Sequence, residues 1–373
     1  MRALFVASPM VGHVQPLLPL AAALRDAGHD VVLATGPEGL AAARSGGLDV
    51  RDVAPGLRVM PVFLSRAFAH PRQARRAAAG EEREPSFVGI LFAALGARMA
   101  DGVVRLADEW QPDVVVQEAL AAVGALAAVR RRVPLVIVNM TFFDAEKLFA
   151  VTAPRLGTVA RRHGLEHMPR PAEVLGTAPR SLVGDQRGRP MRFVPVAGDG
   201  AAPDDLTRPG ARPRIIVSRS TVADPRPDRL MSRVVEAAAG MDVEVVLARP
   251  DKHVSRSPLP ANVRTTGWLP FPAVFPAASA TVHHGGAGTI LTALSAGIPQ
   301  LVTPGAGDRT VNGELVAARG VGLAVPTEQL TTADLERLVG DPGLRQAARE
   351  VAAEIAAMPA PADVVADLVA LAS

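Results

Sequence analysis

The chain opens on a short apolar run, ALFVA (3–7), breaks into a loop, SPMVGH (8–13), and resumes as VQPLLPLAAALRDAG (14–28). In that third segment apolar residues recur at helical spacing, with Pro16 and Pro19 early and Gly28 at the close. HDVVLATG (29–36) follows as a second apolar run. Strand, helix, strand in this order predicts a right-handed βαβ unit and a parallel sheet, whose strands are apolar throughout because both faces are covered. PDVVVQEA (112–119) and VPLVIVNM (133–140) read as two more such strands. Between them, 51–100 and 145–185 show no clear period and read as long insertions of the kind that carry function.

The rhythm then repeats. GDGAAPDDLTRPGARPR (198–214), rich in Gly, Pro and Asp, reads as a linker. After it come the strand RIIVS (214–218), a helix over 227–240, the strand MDVEVVLA (241–248) and a further strand in NVRTTGW (262–268). The helix FPAVFPAAS (271–279), the strand ATVHH (280–284), the helix GAGTILTALSAG (286–297) and the strand IPQLVTP (298–304) complete the second half. Two doubly wound α/β domains are therefore expected. A length of 373 residues, about twice a usual single domain, agrees. The tail AAMPAPADVVADLVALAS (356–373) breaks at Pro359 and Pro361, restarts as a helix, and is expected to cross back to the first domain. The expected divisions are 1–205, 206–358 and 359–373.

Composition removes several classes of function. With no cysteine there is no disulfide framework and no thiolate chemistry, which fits a cytoplasmic protein. Aromatics total 3% and tyrosine is absent, too few for a base-stacking nucleic-acid surface. The net charge is only +3, and Lys147 and Lys252 are the sole lysines, so the high isoelectric point marks no nucleic-acid footprint. ALAAVGALAAV (119–129) is too short to span a bilayer and reads as a buried helix, so no membrane partner is expected.

The chemistry gathers at TVHHGGAGTILTALSAGIPQLVTPGAGD (281–308). A strand ending in small residues that open a helix can receive an anion, because the free N–H groups of the first turn point at it and the helix dipole favours it. The first domain offers only Gly12 where a dinucleotide fingerprint needs three glycines, and no P-loop is present. No acidic pair follows a strand in a form suited to a metal; DPRPD (224–228) reads as a proline-rich turn. A diphosphate here is expected to be neutralised by histidine, backbone amides and the helix dipole, with no metal.

These residues carry a resemblance. GWLP (267–270), VHHGGAGT (282–289), AGIPQLVTP (296–304) and NGELVAARGVGLAV (312–325) resemble the donor-binding half of inverting family-1 glycosyltransferases of GT-B fold. SPMVGHVQPLLPLAAALRDAGHDV (8–31) and MRFVPVAGDG (191–200) are similar to their N-terminal half. Among them the chain looks like the actinobacterial calicheamicin-type and urdamycin/landomycin-type transferases that place deoxysugars on polyketide antibiotics. The resemblance implies two Rossmann-like domains flanking an interdomain cleft, the first binding an apolar aglycone and the second a dTDP-sugar. No other cofactor is implied, and a homodimer is compatible.

Residue by residue, it implies that His284 and the backbone of Gly286, Ala287, Gly288 and Thr289 hold the donor diphosphate, while His283 is structural. Trp268 stacks on the nucleobase or simply packs in the core, and Leu269 offers backbone groups to the base edge. Ser218, Arg219 and Ser220 match a phosphate-facing loop. Arg219 stands where relatives often carry glycine, and either adds charge to the diphosphate or points to solvent. Asp308 and Arg309 stand where many relatives carry Asp-Gln or Glu-Gln for the sugar hydroxyls. Arginine accepts no hydrogen bond, so that contact is altered, in agreement with a deoxysugar.

The acceptor hydroxyl needs a general base. The resemblance makes His13 the first choice and Asp144, in TFFDAEK (141–147), the second; from spacing alone His13 reads as a capping or buried histidine. Glu118 either orients His13 or caps the next helix. Phe63, Phe68, Phe92, Phe142 and Phe143 line an acceptor pocket or belong to the core. The expected reaction is inverting O-glycosylation. The rivals are C-glycosylation of an aromatic ring, a sugar-nucleotide epimerase of the same architecture, and a non-catalytic auxiliary subunit.

Overall fold

The computed structural model describes residues 1–81, 86–186, 188–198, 200–220 and 229–373. The turn at 224–228 lies outside the described residues. The chain divides into two compact units. One comprises Met1–Ala77, Glu82–Val194 and Met358–Ser373; the other comprises Ala78–Glu81 and Pro195–Ala357.

The first unit is built on a seven-stranded sheet in the order β3-β2-β1-β4-β5-β6-β7. Its strands are β1 (Arg2–Val6), β2 (Asp30–Thr35), β3 (Asp49–Asp52), β4 (Val114–Glu118), β5 (Leu135–Asn139), β6 (Glu173–Gly176) and β7 (Arg189–Pro190). All neighbours pair in parallel. The central strands β4 and β5 are buried at every position, as the unbroken apolar runs require. The helix expected over 14–28 is interrupted: Gln15–Leu17 forms a 3-10 turn before the helix Leu18–Asp26 begins. Pro16 and Pro19 stand at the starts of those two pieces, where a missing N–H costs nothing.

The region without a clear period is in fact helical. It holds Val59–Ala69, Pro71–Ala78 and the 25-residue helix Ser86–Trp110. The last is long and apolar enough to cross a membrane, yet 61% of its most apolar window is buried within the protein. Leu95, Met99 and Val103 lie in the same core cluster as Leu126 on the helix Gly124–Arg131 and Leu148 on the helix Ala145–Thr152. A helix surrounded by core loses the one-sided stripe by which amphipathic helices are recognised. The C-terminal helix Val365–Leu371 rests on Leu18–Asp26, and Arg192 N donates to Pro359 O at 2.7 Å.

The second unit carries a six-stranded parallel sheet, β10-β9-β8-β11-β12-β13. Its strands are β8 (Arg214–Ser218), β9 (Glu244–Ala248), β10 (Val263–Thr266), β11 (Ala280–His283), β12 (Gln300–Val302) and β13 (Gly322–Ala324). One core cluster gathers Ile215, Val245 and Val282; another gathers Ile216, Val246 and Phe275. Alternate residues of β8 and β9 thus feed the two faces of the sheet.

Both sheets reverse direction of winding at one place, between β1 and β4 in the first and between β8 and β11 in the second. In open α/β sheets the crevice beyond the carboxyl ends of the strands at such a switch point is where ligands bind. The residues after β1, β4, β8 and β11 therefore border the switch points of the two sheets.

Candidate active site

In the first unit, register sets Val6 of β1 beside Gln117 of β4, so the loop after β1 begins next to Glu118. Glu118 is wholly buried. Its Oε1 accepts from Ser8 Oγ at 2.6 Å and from Ser8 N at 3.3 Å, and its Oε2 accepts from Leu120 N at 2.6 Å. His13 Nδ1 stands 3.1 Å from the same Oε1. That is hydrogen-bond distance, although the carboxylate sits off the ideal N–H direction; Nδ1 is buried and has no partner besides Glu118.

Burial alone pushes the Glu118 carboxyl up. The charge and hydrogen bond of His13, the Ser8 hydroxyl and the Leu120 amide outweigh it and hold the group below the ordinary carboxylate range. An ionised carboxylate only accepts, so this contact favours a proton on Nδ1, which in the neutral ring leaves the lone pair on Nε2. The imidazole keeps 17% of its side-chain surface exposed. Phe92 packs on the ring with centroids 4.9 Å apart, and Phe63 packs on Phe92 at 5.7 Å.

The other candidates of this unit are placed differently. Asp144 caps the helix Ala145–Thr152, its carboxylate accepting from Lys147 N at 3.0 Å. Phe142 is buried, and Phe143 is partly buried against the core. Phe68 is 83% exposed, with Leu64 half exposed one turn before it. The structure thus joins His13, Glu118, Phe63 and Phe92, and leaves Phe68 apart on the surface. Ser8, which fixes Glu118, was not anticipated: a serine before a proline gives no signal in the sequence beyond its place after a strand.

In the second unit the helix Ala287–Ser295 starts directly beyond β11, with Gly286 as its N-cap and no side chain capping it. The turn before it is held from below. His283 Nε2 lies 2.9 Å from Gln300 Oε1, an acceptor, so His283 carries its proton there and its Nδ1 accepts from Gly285 N at 3.1 Å. Burial pushes the His283 pKa down to about 4, so the ring is neutral. Gly285 has φ +87°, and a Cβ there would come 2.8 Å from Val302 Cγ1; only glycine fits. A Cβ on Gly286 would stand 2.8 Å from His284 Nε2. The absence of a side chain at the cap leaves that nitrogen beside the open helix N-terminus.

His284 is held well below its ordinary pKa by burial first, then by Arg309, His283 and Arg249. Arg309 Nη2 donates to Ser220 Oγ at 3.3 Å. Ser218 is buried, and its hydroxyl has no partner among the described residues. Trp268 is 43% exposed, and the Arg249 guanidinium lies 4.8 Å over its ring. Leu269 is buried in the second core cluster, which leaves its backbone as the part able to meet a ligand. Arg249 was missed in the sequence. It follows β9, adopts φ +51°, and is pushed below its usual pKa by burial and by Arg219. Arg219, Arg249 and Arg309 make no ion pair with a carboxylate among the described residues. Such a concentration of positive charge beside a helix N-terminus suits an anion. Among the described residues no three His, Asp or Glu side chains gather as a metal would need.

The comparisons with known proteins converge on one family. Residues 22–220 match the N-terminal domain, and residues 232–371 the C-terminal domain, of the family described as erythromycin biosynthesis protein CIII-like. The elloramycin glycosyltransferase ElmGT of Streptomyces olivaceus is 34% identical, covering 99% of this chain and 97% of its own length. The crystal structure of the glycosyltransferase SnogD from Streptomyces nogalater superposes with a TM-score of 0.85 at 33% identity, covering 100% of this chain and 99% of that one. The Streptomyces sp. SF2575 glycosyltransferase SsfS6, complexed with thymidine diphosphate, gives a TM-score of 0.83 at 29% identity, with 99% of each chain covered.

Proposed function

Since the chain belongs to the erythromycin biosynthesis protein CIII-like family of GT-B glycosyltransferases, we propose that it moves a deoxysugar from a dTDP-sugar to a hydroxyl of a polyketide aglycone. It serves antibiotic biosynthesis in the cytoplasm. The observation that carries the reading is the pairing of chemistries at the two switch points: a histidine–carboxylate dyad after β1 and β4, and a cationic helix N-terminus after β8 and β11.

The reaction is one inverting displacement. His13 Nε2 takes the proton of the acceptor hydroxyl as its oxygen bonds to the anomeric carbon. The bond from that carbon to the donor phosphate breaks, and its electron pair leaves on dTDP. Glu118 holds His13 in the tautomer with Nε2 free and stabilises the imidazolium that forms. Phe63 and Phe92 give the aglycone an apolar wall beside the base.

On the donor side, His284 donates to the diphosphate as a neutral group, alongside the amides of Gly286–Thr289. Each helix-dipole contact contributes about 0.3–1 kcal/mol, so the charges of Arg249 and Arg309 are the larger stabilisation of the leaving group. Trp268 carries the thymine, and Asp308 accepts from a sugar hydroxyl. Asp144 spends one carboxylate oxygen on capping the helix Ala145–Thr152, which supports the choice of His13 as base.

The test is a panel of dTDP- and UDP-sugars against aromatic polyketides, read by mass spectrometry, with the linkage assigned by NMR. A product heavier by one anhydro-deoxysugar, joined through oxygen and made from dTDP donors, is expected. Isomerised dTDP-sugar without acceptor consumption, or a carbon–carbon link, would replace this reading.

A further inference from the structure

Asn312 lies in the second turn of the helix Arg309–Arg319 and has no exposed surface. Helices disfavour asparagine, and an apolar side chain would fill a buried position at less cost, so its amide calls for an explanation. The Nδ2 group donates to Gly285 O at 2.8 Å and to Asp308 Oδ2 at 2.9 Å. Both partners are acceptors, which fixes the amide with nitrogen toward them, and both of its N–H bonds are used. Asp308 sits at the N-cap of this helix, but its side chain makes no capping bond. Its carboxylate is held by Asn312 instead.

The peptide groups of Gly285 are thus fixed by two side chains: His283 receives the N–H and Asn312 reaches the carbonyl. The following residues form the open helix N-terminus, while Asp308 faces the sugar in the reading above. We propose that Asn312 is a positioning residue that couples the grip on the diphosphate to the grip on the sugar. One amide sets both the turn at Gly285 and the Asp308 carboxylate, so a shift in either is felt by the other. This inference rests on the donor reading of the second unit. It assigns no ligand contact to Asn312 itself.

The test is calorimetry with dTDP and with dTDP-glucose on the full-length enzyme, with thermal unfolding alongside. Asn312→Ala should weaken dTDP about tenfold and change the ratio of dTDP-glucose to dTDP affinity by about tenfold more, the loss expected for a hydrogen bond to a charged group. On an Asp308→Ala background the second change should vanish, because the sugar effect runs through that carboxylate. Should Asn312→Ala not fold, Asp308→Ala alone serves. It should weaken dTDP severalfold although it does not touch the diphosphate, because Asn312 loses one of its two anchors.

An unchanged ratio in Asn312→Ala, full additivity with Asp308→Ala, or unaltered dTDP affinity in Asp308→Ala would overturn the coupling. A purely structural asparagine would lower the melting temperature and leave the ratio alone. If the unsubstituted enzyme binds no dTDP, the donor reading itself falls, and the coupling with it. Intact dTDP binding with an unmoved ratio removes the coupling only.

Discussion

Replacing Glu118 by glutamine tests the dyad without changing its shape. The carboxylate accepts three hydrogen bonds, two from Ser8 and one from Leu120 N, and faces His13. Glutamine has one acceptor and one NH₂. Either orientation sets the NH₂ against an N–H, whether that of Leu120 at the 2.6 Å position or those of Ser8 and His13. The larger loss is charge. When His13 takes the acceptor proton, its positive charge lies 3.1 Å from the carboxylate. At an effective dielectric of about 20 that attraction is ~5 kcal/mol. Proton transfer is only partly complete in the transition state and the amide dipole replaces part of the charge, so about 3 kcal/mol of barrier remains, or ~10² in kcat. The assay is initial rate at saturating donor, with dTDP affinity by calorimetry and the melting temperature as controls. Folded Glu118→Gln enzyme with kcat within about threefold of the parent would refute the argument.

Three further outcomes follow from the structure. His284→Ala should weaken dTDP far more than the aglycone, since His284 Nε2 borders the open helix N-terminus; calorimetry showing equal dTDP affinity would contradict this. With Arg249 and Arg309 serving the diphosphate, EDTA should leave turnover nearly intact; loss on chelation and rescue by Mg²⁺ would overturn that assignment. Stability should fall on acidification. Below the ordinary 6.5 the unfolded chain protonates at His283 while the folded chain does not until about 4. The unfolded state therefore binds the extra proton, and this site alone removes about 3 kcal/mol across that window. Glu118, depressed in the fold, adds a further loss as pH falls through its folded value. Denaturant midpoints independent of pH from 7 to 4.5 would contradict the histidine part, and midpoints that stay flat below 4.5 would contradict the carboxylate part.

The sequence made the sheets legible because buried parallel strands are short, apolar and bounded by turns; ALFVA, VVLAT and VVVQE all stand close to where they were read. It hid the helix Ser86–Trp110 because burial on several faces erases the amphipathic stripe. His13, Glu118 and the residues from His284 to Thr289 stand at or just beyond strand ends, and the family resemblance, not spacing, singles them out. What could not be read was side-chain reach. Nothing in the spacing shows that Ser8 bonds Glu118, that Arg249 lies over Trp268, or that Asn312 bridges Gly285 and Asp308. Apart from Asn312–Asp308, one helical turn apart, those contacts join segments separated in the chain. Phe68, read as lining an acceptor pocket or belonging to the core, lies on the surface, which removes the core alternative.

The proposed chemistry depends most directly on His13. Steady-state kinetics of His13→Ala, with Asp144→Asn measured beside it and dTDP affinity taken by calorimetry, decides the matter. Loss of the general base should lower kcat by about 10²–10⁴ and leave dTDP binding nearly unchanged. Asp144→Asn should cost little, because asparagine caps a helix as well as aspartate does. If Asp144→Asn instead costs more than His13→Ala while fold and dTDP affinity survive, the base is Asp144 and the dyad described here is not the catalytic one.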